Sequence, residues 1–420
     1  MNIKTFPIKS DTACLLKWSW STVFLSLASS SSCHRCDHDT FKVGEFHTFH
    51  NTPRKVLSRE MMRRGEWPQA GCQYCQTIEQ AGGMSDRQYQ LANGHYDYAT
   101  ELDQDASLNE VTPTILEMYF TNVCNMSCLY CGPHFSSKWE EENRRFGLFK
   151  SGTVKLLPED SRMTDDYDRL LEEFWIWFDQ HHSKLRYFHV LGGEPFYQKE
   201  LELCLDFFES HPSPELCLNL VSNLKVEPKR FARTIDRMIA LKDSGRLKRI
   251  QITGSLDCWG PQQEYVRWGL DLNEYTANME YILTKDITVC INAAVNALSI
   301  KTMPEYFEKI NYWNQLKKDL GYKWDYINWS CTSVPSPGHM KPDIFGPEVF
   351  RDDIERILTV MPEDNDQQIN IKEHFRGIAA KIMSRPKNPE AIKNLKVYLT
   401  EIDRRRNTNW KELFPWLVDQ

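Results

Sequence analysis

The sequence predicts an α/β protein built on an incomplete barrel of six strand–helix units, with a small cysteine-rich domain before it and a helical extension after it. Three observations carry that expectation. Strand-like and helix-like runs alternate from about residue 114 to 334, the cysteines before residue 110 come mostly in pairs, and the chain after a Pro/Gly-rich connector at 334–347 reads as charged amphipathic helices. The domains expected are 1–109, 110–335 and 336–420. At 420 residues, 41% hydrophobic and 12% aromatic, the chain has material for one sizeable core and smaller satellites.

The strand runs are TILEMYFT (114–121), LRYFHVL (185–191), LCLNLVSN (216–223), KRIQITGSL (248–256), ITVCINAAV (287–295) and DYINWSCTSV (325–334). Each is short and rich in apolar, β-branched or aromatic residues. Helical runs lie between them at 165–182, 198–211, 227–245, 262–286 and 303–321. Strand, helix, strand repeated in this way calls for a parallel sheet with right-handed crossovers. In such barrels the chemistry gathers at the C-terminal ends of the strands.

The net charge of -7 gives no reason to expect nucleic acid or an anionic membrane as partner. Thirteen cysteines in so long a chain point to reduced thiols or metal ligands, and so to a cytoplasmic protein. Residues 13–33, ACLLKWSWSTVFLSLASSSSC, imitate a lipoprotein leader ending at Cys33. Lys17 interrupts the apolar run, Asp11 stands where a leader is basic, and residues 19–27 alternate as a strand. The run is also too short and polar to span a bilayer.

Cys124, Cys128 and Cys131 follow directly on the first barrel strand at the spacing C-x3-C-x2-C. Three thiolates on one tight loop can hold three irons of a 4Fe-4S cluster and leave the fourth open to a ligand. The competing reading is a zinc site completed by His134. About sixty residues on, LGGEPF (191–196) ends the second strand. Its glycines let backbone pass close to a ligand, and Glu194 can accept a hydrogen bond from a cationic amine.

This spacing, with Tyr130 before the last cysteine, resembles the signature of the radical S-adenosylmethionine (SAM) superfamily. The six strand–helix units resemble its partial (β/α)6 TIM-like barrel over roughly residues 110–335. The resemblance implies that Cys124, Cys128 and Cys131 hold the cluster and that the amine and carboxylate of SAM chelate the open iron. Tyr130, Gly192, Gly193 and Glu194 then belong to the SAM site, the last three at the methionyl amine. Asn223, Ser255 and Asp257, at the ends of strands three and four, take ribose and carboxylate contacts, and Asn292 and Asn296 are further polar positions. Leu224 stands where a glycine often follows the asparagine of strand three. The implied reaction is reductive cleavage of SAM to a 5'-deoxyadenosyl radical that takes hydrogen from a substrate. The electron donor would be a flavodoxin or ferredoxin, and the substrate a peptide or protein, or a small metabolite.

Cys14, Cys33, Cys36, Cys72 and Cys75 lie upstream. Two C-x2-C pairs about 35 residues apart fit a structural zinc, and with it a non-catalytic, zinc-stabilised binding module. Their surroundings resemble the twitch domain, the shorter relative of the SPASM domain, which here precedes the barrel. That resemblance implies a second, auxiliary 4Fe-4S cluster on Cys14, Cys33, Cys72 and Cys75, with Cys36 able to replace Cys33. Cys204, Cys217 and Cys290 read as small core residues, while Cys258 and Cys331 are expected near strand ends facing the cavity.

Overall fold

A computed structural model describes residues 10–33, 36–69, 71–80, 82–92, 110–151, 154–155, 164–322 and 326–420. Its strands are β1 (Trp20–Phe24), β2 (Ser29–Ser31), β3 (Asp39–Thr40), β4 (Ile115–Tyr119), β5 (Lys150–Ser151), β6 (Val154–Lys155), β7 (Tyr187–Leu191), β8 (Ser213–Ser222), β9 (Leu247–Ser255), β10 (Thr288–Val295) and β11 (Ile327–Ser333). β5 and β6 pair alone, and the other nine form one sheet in the order β11-β10-β9-β8-β7-β4-β1-β2-β3.

The six expected strands are β4 and β7 to β11, each parallel to its neighbour in the chain. Each connection steps one place in the same direction, so right-handed crossovers put their helices on one face. That sequential order is compatible with an incomplete barrel and equally with an open parallel sheet. At the open edge of β4 the N-terminal segment adds β1 in parallel, then β2 and β3 antiparallel. Strands from both sides of the expected boundary near residue 109 therefore share one sheet.

Alternation along the strands separates two faces. Leu116 and Met118, Phe188 and Val190, Leu218 and Leu220, Ile250 and Ile252, and Val289 and Ile291 are fully buried on the helix side. Each contributes about 1.5–3 kcal/mol by leaving water. The opposite face is polar: the register aligns Thr22 with Glu117, Glu117 with His189, His189 with Asn219 and Asn219 with Gln251.

The run at 262–286, expected as one helix, is two: Pro261–Val266 and Leu272–Leu283. Gly269 breaks it, at φ +102° and with its backbone so near Asn125 that a Cβ would stand 3.0 Å from the Asn125 carbonyl oxygen. Asp271 then caps the second helix by accepting from the Asn273 and Glu274 amides. Within residues 13–33 the strand expected at 19–27 is β1, and it turns through a left-handed Ala28 into β2. Among the described residues no helix is long and apolar enough to cross a membrane.

The extension after residue 336 is helical as expected, with long helices at Pro347–Val360, Asp366–Ser384 and Pro389–Arg406. His339, in the turn before them, is buried against Tyr398 with ring centroids 4.8 Å apart. Burial pushes its pKa down to about 4. The folded state therefore holds His339 neutral while the unfolded chain protonates it near pH 6.5, so this stability is complete above pH 6.5 and is lost as pH falls toward 4. His339→Leu is expected to reduce the loss of unfolding free energy between pH 7.5 and 5 by about 1–2 kcal/mol. Urea denaturation at the two pH values measures it, and equal losses in both proteins would contradict the neutral assignment.

Candidate active site

The loop bearing Cys124, Cys128 and Cys131 leaves the C-terminal end of β4 and is tied down by three distant parts of the chain. The Ser127 and Leu129 amides donate to the carbonyls of Trp268 and Val266 at 2.9 and 2.8 Å. Trp139 Nε1 donates to the Cys128 carbonyl at 2.7 Å, from a helix at Ser137–Phe146 that sequence reasoning missed. From the C-terminal helix, Tyr398 donates to the Leu129 carbonyl at 2.8 Å and Arg406 to the Ser127 carbonyl at 3.0 Å. The three thiols are half-buried. Burial pushes each up, Cys131 to about 12, and the sulfur of Cys128 adds to the shift of both others. Such thiols become thiolates when a metal's charge replaces the lost hydration.

The Gly-Gly-Glu turn at the end of β7 sits directly on this loop. Glu194 donates its amide to the Val123 carbonyl at 2.8 Å. Gly193 is at φ +53°, and a Cβ there would lie 2.2 Å from the same carbonyl oxygen. Gly192 is at φ +85°, where a Cβ would lie 2.4 Å from the Tyr119 ring. The Glu194 carboxylate is fully buried and accepts from Ser222 Oγ at 2.9 Å and from the amides of Asn223 and Phe196 at 2.7 and 3.3 Å. Burial raises it to about 7 despite those donors. It thereby joins the end of β7 to the end of β8. Asn223 continues the link, donating to Asn125 Oδ1 in the cysteine loop at 2.8 Å. Leu224 adopts φ +54°, keeping the left-handed turn without the glycine.

Asp257, beyond the end of β9, is also fully buried. Arg267 pairs with it through two bonds of 2.9 Å, and Tyr130 and the Ala294 amide donate to it at 2.6 and 2.9 Å. The aromatic residue of the cysteine motif is thus fixed by an ion pair whose arginine the sequence reading did not single out. Its only signal was its place two residues before Gly269. Ser255 is half-buried at the end of β9, and Asn296, in the turn after β10, is buried with its amide on the Ala294 carbonyl at 2.9 Å.

The polar sheet face leads away from these strand ends. Thr253 donates to Asn219 Oδ1 at 3.0 Å, Asn219 meets His189 Nδ1 at 2.8 Å, and Trp20 stacks on His189 with centroids 5.8 Å apart. Ser330 donates to Asn292 at 3.0 Å. Asn328 Oδ1 is buried here without a partner among the described residues. Three cysteine expectations are corrected. Cys331 is buried on the helix side, in phase with Trp329, and Cys258 is fully buried with its thiol on Gln263 Oε1 at 3.3 Å. Cys290, expected in the core, is instead half-buried on the polar face, in register with Thr253 and Asn328.

Cys14, Cys33, Cys36, Cys72 and Cys75 line one pocket with Lys17, Trp67 and Arg87. Cys36, the expected spare, lies at its centre: its Sγ is 3.3 Å from that of Cys33 and accepts from Lys17 Nζ at 2.8 Å. Hydrogen bonding with Cys33 and Cys72, aided by Lys17, draws the Cys36 thiol down. Burial alone would lower Lys17, but it is raised on balance, chiefly by the sulfur of Cys36 that it faces. An all-sulfur donor set suits an iron–sulfur cluster or zinc. Among the described residues no three His, Cys, Asp or Glu side chains form a ready single-ion shell. This pocket precedes β1 and follows β2, whereas the loop of Cys124 follows β4, which is parallel to β1. Opposite ends of strands this long are roughly 15 Å apart.

No known family profile matches the chain, and no curated protein matches it. Several solved chains superpose on it, three of them SuiB. Streptococcus suis SuiB bound to precursor peptide SuiA gives a TM-score of 0.35 at 14% identity over 89% of this chain and 66% of that one. SuiB bound to S-adenosylmethionine gives 0.34 at 13% over the same shares, and SuiB alone 0.32 at 12% over 77% and 72%. The chain thus spans just under two thirds of SuiB in the first two. Scores at this level do not establish a common architecture.

Proposed function

We propose that the chain is a radical SAM enzyme whose catalytic cluster is held by Cys124, Cys128 and Cys131 and whose substrate lies along the polar sheet face. One observation carries the reading: the three-cysteine loop and the Gly-Gly-Glu turn, sixty-odd residues apart, meet at the C-terminal ends of adjacent parallel strands through the 2.8 Å bond from the Glu194 amide to the Val123 carbonyl. A bound 4Fe-4S cluster with one open iron would supply one electron to the sulfonium of SAM, whose carbon–sulfur bond then breaks to give methionine and a 5'-deoxyadenosyl radical.

The chain's own residues provide position. Glu194 and Asn223 lock three strand ends together, and the Asp257–Arg267 pair holds Tyr130 beside the cysteines. Gly192 and Gly193 let the turn lie against the Tyr119 ring and the Val123 carbonyl, where any side chain would clash, and so keep the turn seated on the cysteine loop. The substrate we assign is a peptide or protein, because the polar face carries the carboxamides of Gln251, Asn292 and Asn328, which match peptide N–H and C=O groups. Residues 1–109 act as a twitch-like module with the auxiliary cluster, 110–335 as the SAM-binding barrel and 336–420 as its helical support. A flavodoxin or ferredoxin supplies the electron in a reducing, cytoplasmic compartment.

The test is anaerobic reconstitution with iron and sulfide, reduction, and electron paramagnetic resonance with and without SAM. The expected result is a cluster signal that SAM changes and that the triple Cys124/Cys128/Cys131→Ala variant lacks. Zinc in place of iron, with no SAM-dependent signal, would instead establish the zinc-stabilised binding module.

A further inference from the structure

Lys17 is 4% exposed, in the short helix Leu16–Ser19 beside the N-terminal cysteine pocket. Its backbone is fixed by a second buried cation: Arg59 donates to the Lys17 carbonyl at 3.2 Å and to Asn51 Oδ1 at 2.8 Å. A buried ammonium requires a compensating anion or it destabilises the fold. Arg87, the other cation lining the pocket, has one in Glu79, at 2.7 Å from its Nε. Lys17 has no carboxylate within ion-pair distance among the described residues, and its ammonium points at sulfur, 2.8 Å from Cys36 Sγ. A buried ammonium set against sulfur in this way is most favourable when that sulfur carries negative charge.

We propose that Lys17 is a positioning residue of the auxiliary cluster: it seats Cys36 as a ligand, and its N–H···S bond raises the cluster's reduction potential. The proposal rests on the reading of this pocket as an iron–sulfur site. One-electron reduction adds negative charge to the cluster, and a cation bonded to a ligating sulfur stabilises the reduced form more than the oxidised one. Five cysteines for four seats then resolve in favour of Cys36, with the seat lost among the other four.

The experiment uses the full chain carrying Ala at Cys124, Cys128 and Cys131, so that only the N-terminal pocket can hold a cluster. Iron, sulfide and zinc are determined first. The midpoint potential is then measured by titration with dithionite, followed by electron paramagnetic resonance, for Lys17, Lys17→Met and Lys17→Arg. The expected result is equal iron content, a lower midpoint in Lys17→Met and recovery of most of the shift in Lys17→Arg. An unchanged midpoint at equal iron content would overturn the role of Lys17 while leaving the cluster in place. If Lys17→Met does not fold, Lys17→Gln removes the charge and keeps an N–H, and the same two results apply. Zinc or no metal in the parent protein would remove the cluster reading itself, and the proposal with it, before any potential is measured.

Discussion

Gly193→Ala is expected to push the Gly-Gly-Glu turn off the cysteine loop and to lower stability by about 2–5 kcal/mol. Two effects combine. A left-handed backbone disfavours any Cβ by roughly 1–2 kcal/mol, and this Cβ would also lie 2.2 Å from a backbone oxygen, that of Val123, which has no side-chain freedom with which to yield. Gly245 separates the two, because it ends the helix Pro228–Asp243 at φ +74° with nothing within 4 Å of a Cβ. Gly245→Ala should show the backbone part alone. Urea denaturation of both variants measures the difference, and SAM binding by calorimetry should fall in Gly193→Ala only. Equal losses of stability would mean that the two loops are not in close contact.

Arg267→Met is expected to destabilise by about 3–5 kcal/mol, the cost of leaving a buried carboxylate without its cation. Asp257 is fully buried, and without Arg267 its charge would rest on Tyr130 and the Ala294 amide. Removing both charges should be milder: Asp257→Leu with Arg267→Met is expected to recover part of the lost stability, because no lone charge remains. SAM binding should stay weak in the double variant, since Tyr130 then lacks its acceptor. A double variant no more stable than Arg267→Met would show that packing, not charge, dominates at this position.

The strands and most helices were legible because burial imposes a period on sequence. β7, β10 and β11 fall within two residues of their expected starts and ends. The two loops of the candidate site were legible for a different reason: short-range spacing of cysteines and glycines is visible without knowing the fold. What stayed hidden depends on contacts between residues far apart in the chain. Nothing near Tyr398 announces that its hydroxyl would meet Leu129, 269 residues away. Arg267 sat inside what reads as one amphipathic helix until Gly269, pressed against Asn125, divides it. The positions of Cys290 and Cys331 on opposite faces follow from strand phase, and a one-residue uncertainty in phase exchanges inside for outside. Spacing alone cannot show that Lys17, nineteen residues before Cys36, turns its ammonium onto that sulfur.

The central claim is that the loop of Cys124, Cys128 and Cys131, seated on the Gly-Gly-Glu turn, cleaves SAM. The most direct measurement is 5'-deoxyadenosine by mass spectrometry after anaerobic reconstitution, reduction with dithionite and addition of SAM. The expected result is nucleoside from the intact chain and none from the triple Ala variant. Its absence from an intact, iron-loaded protein, or equal amounts from both proteins, would contradict the claim.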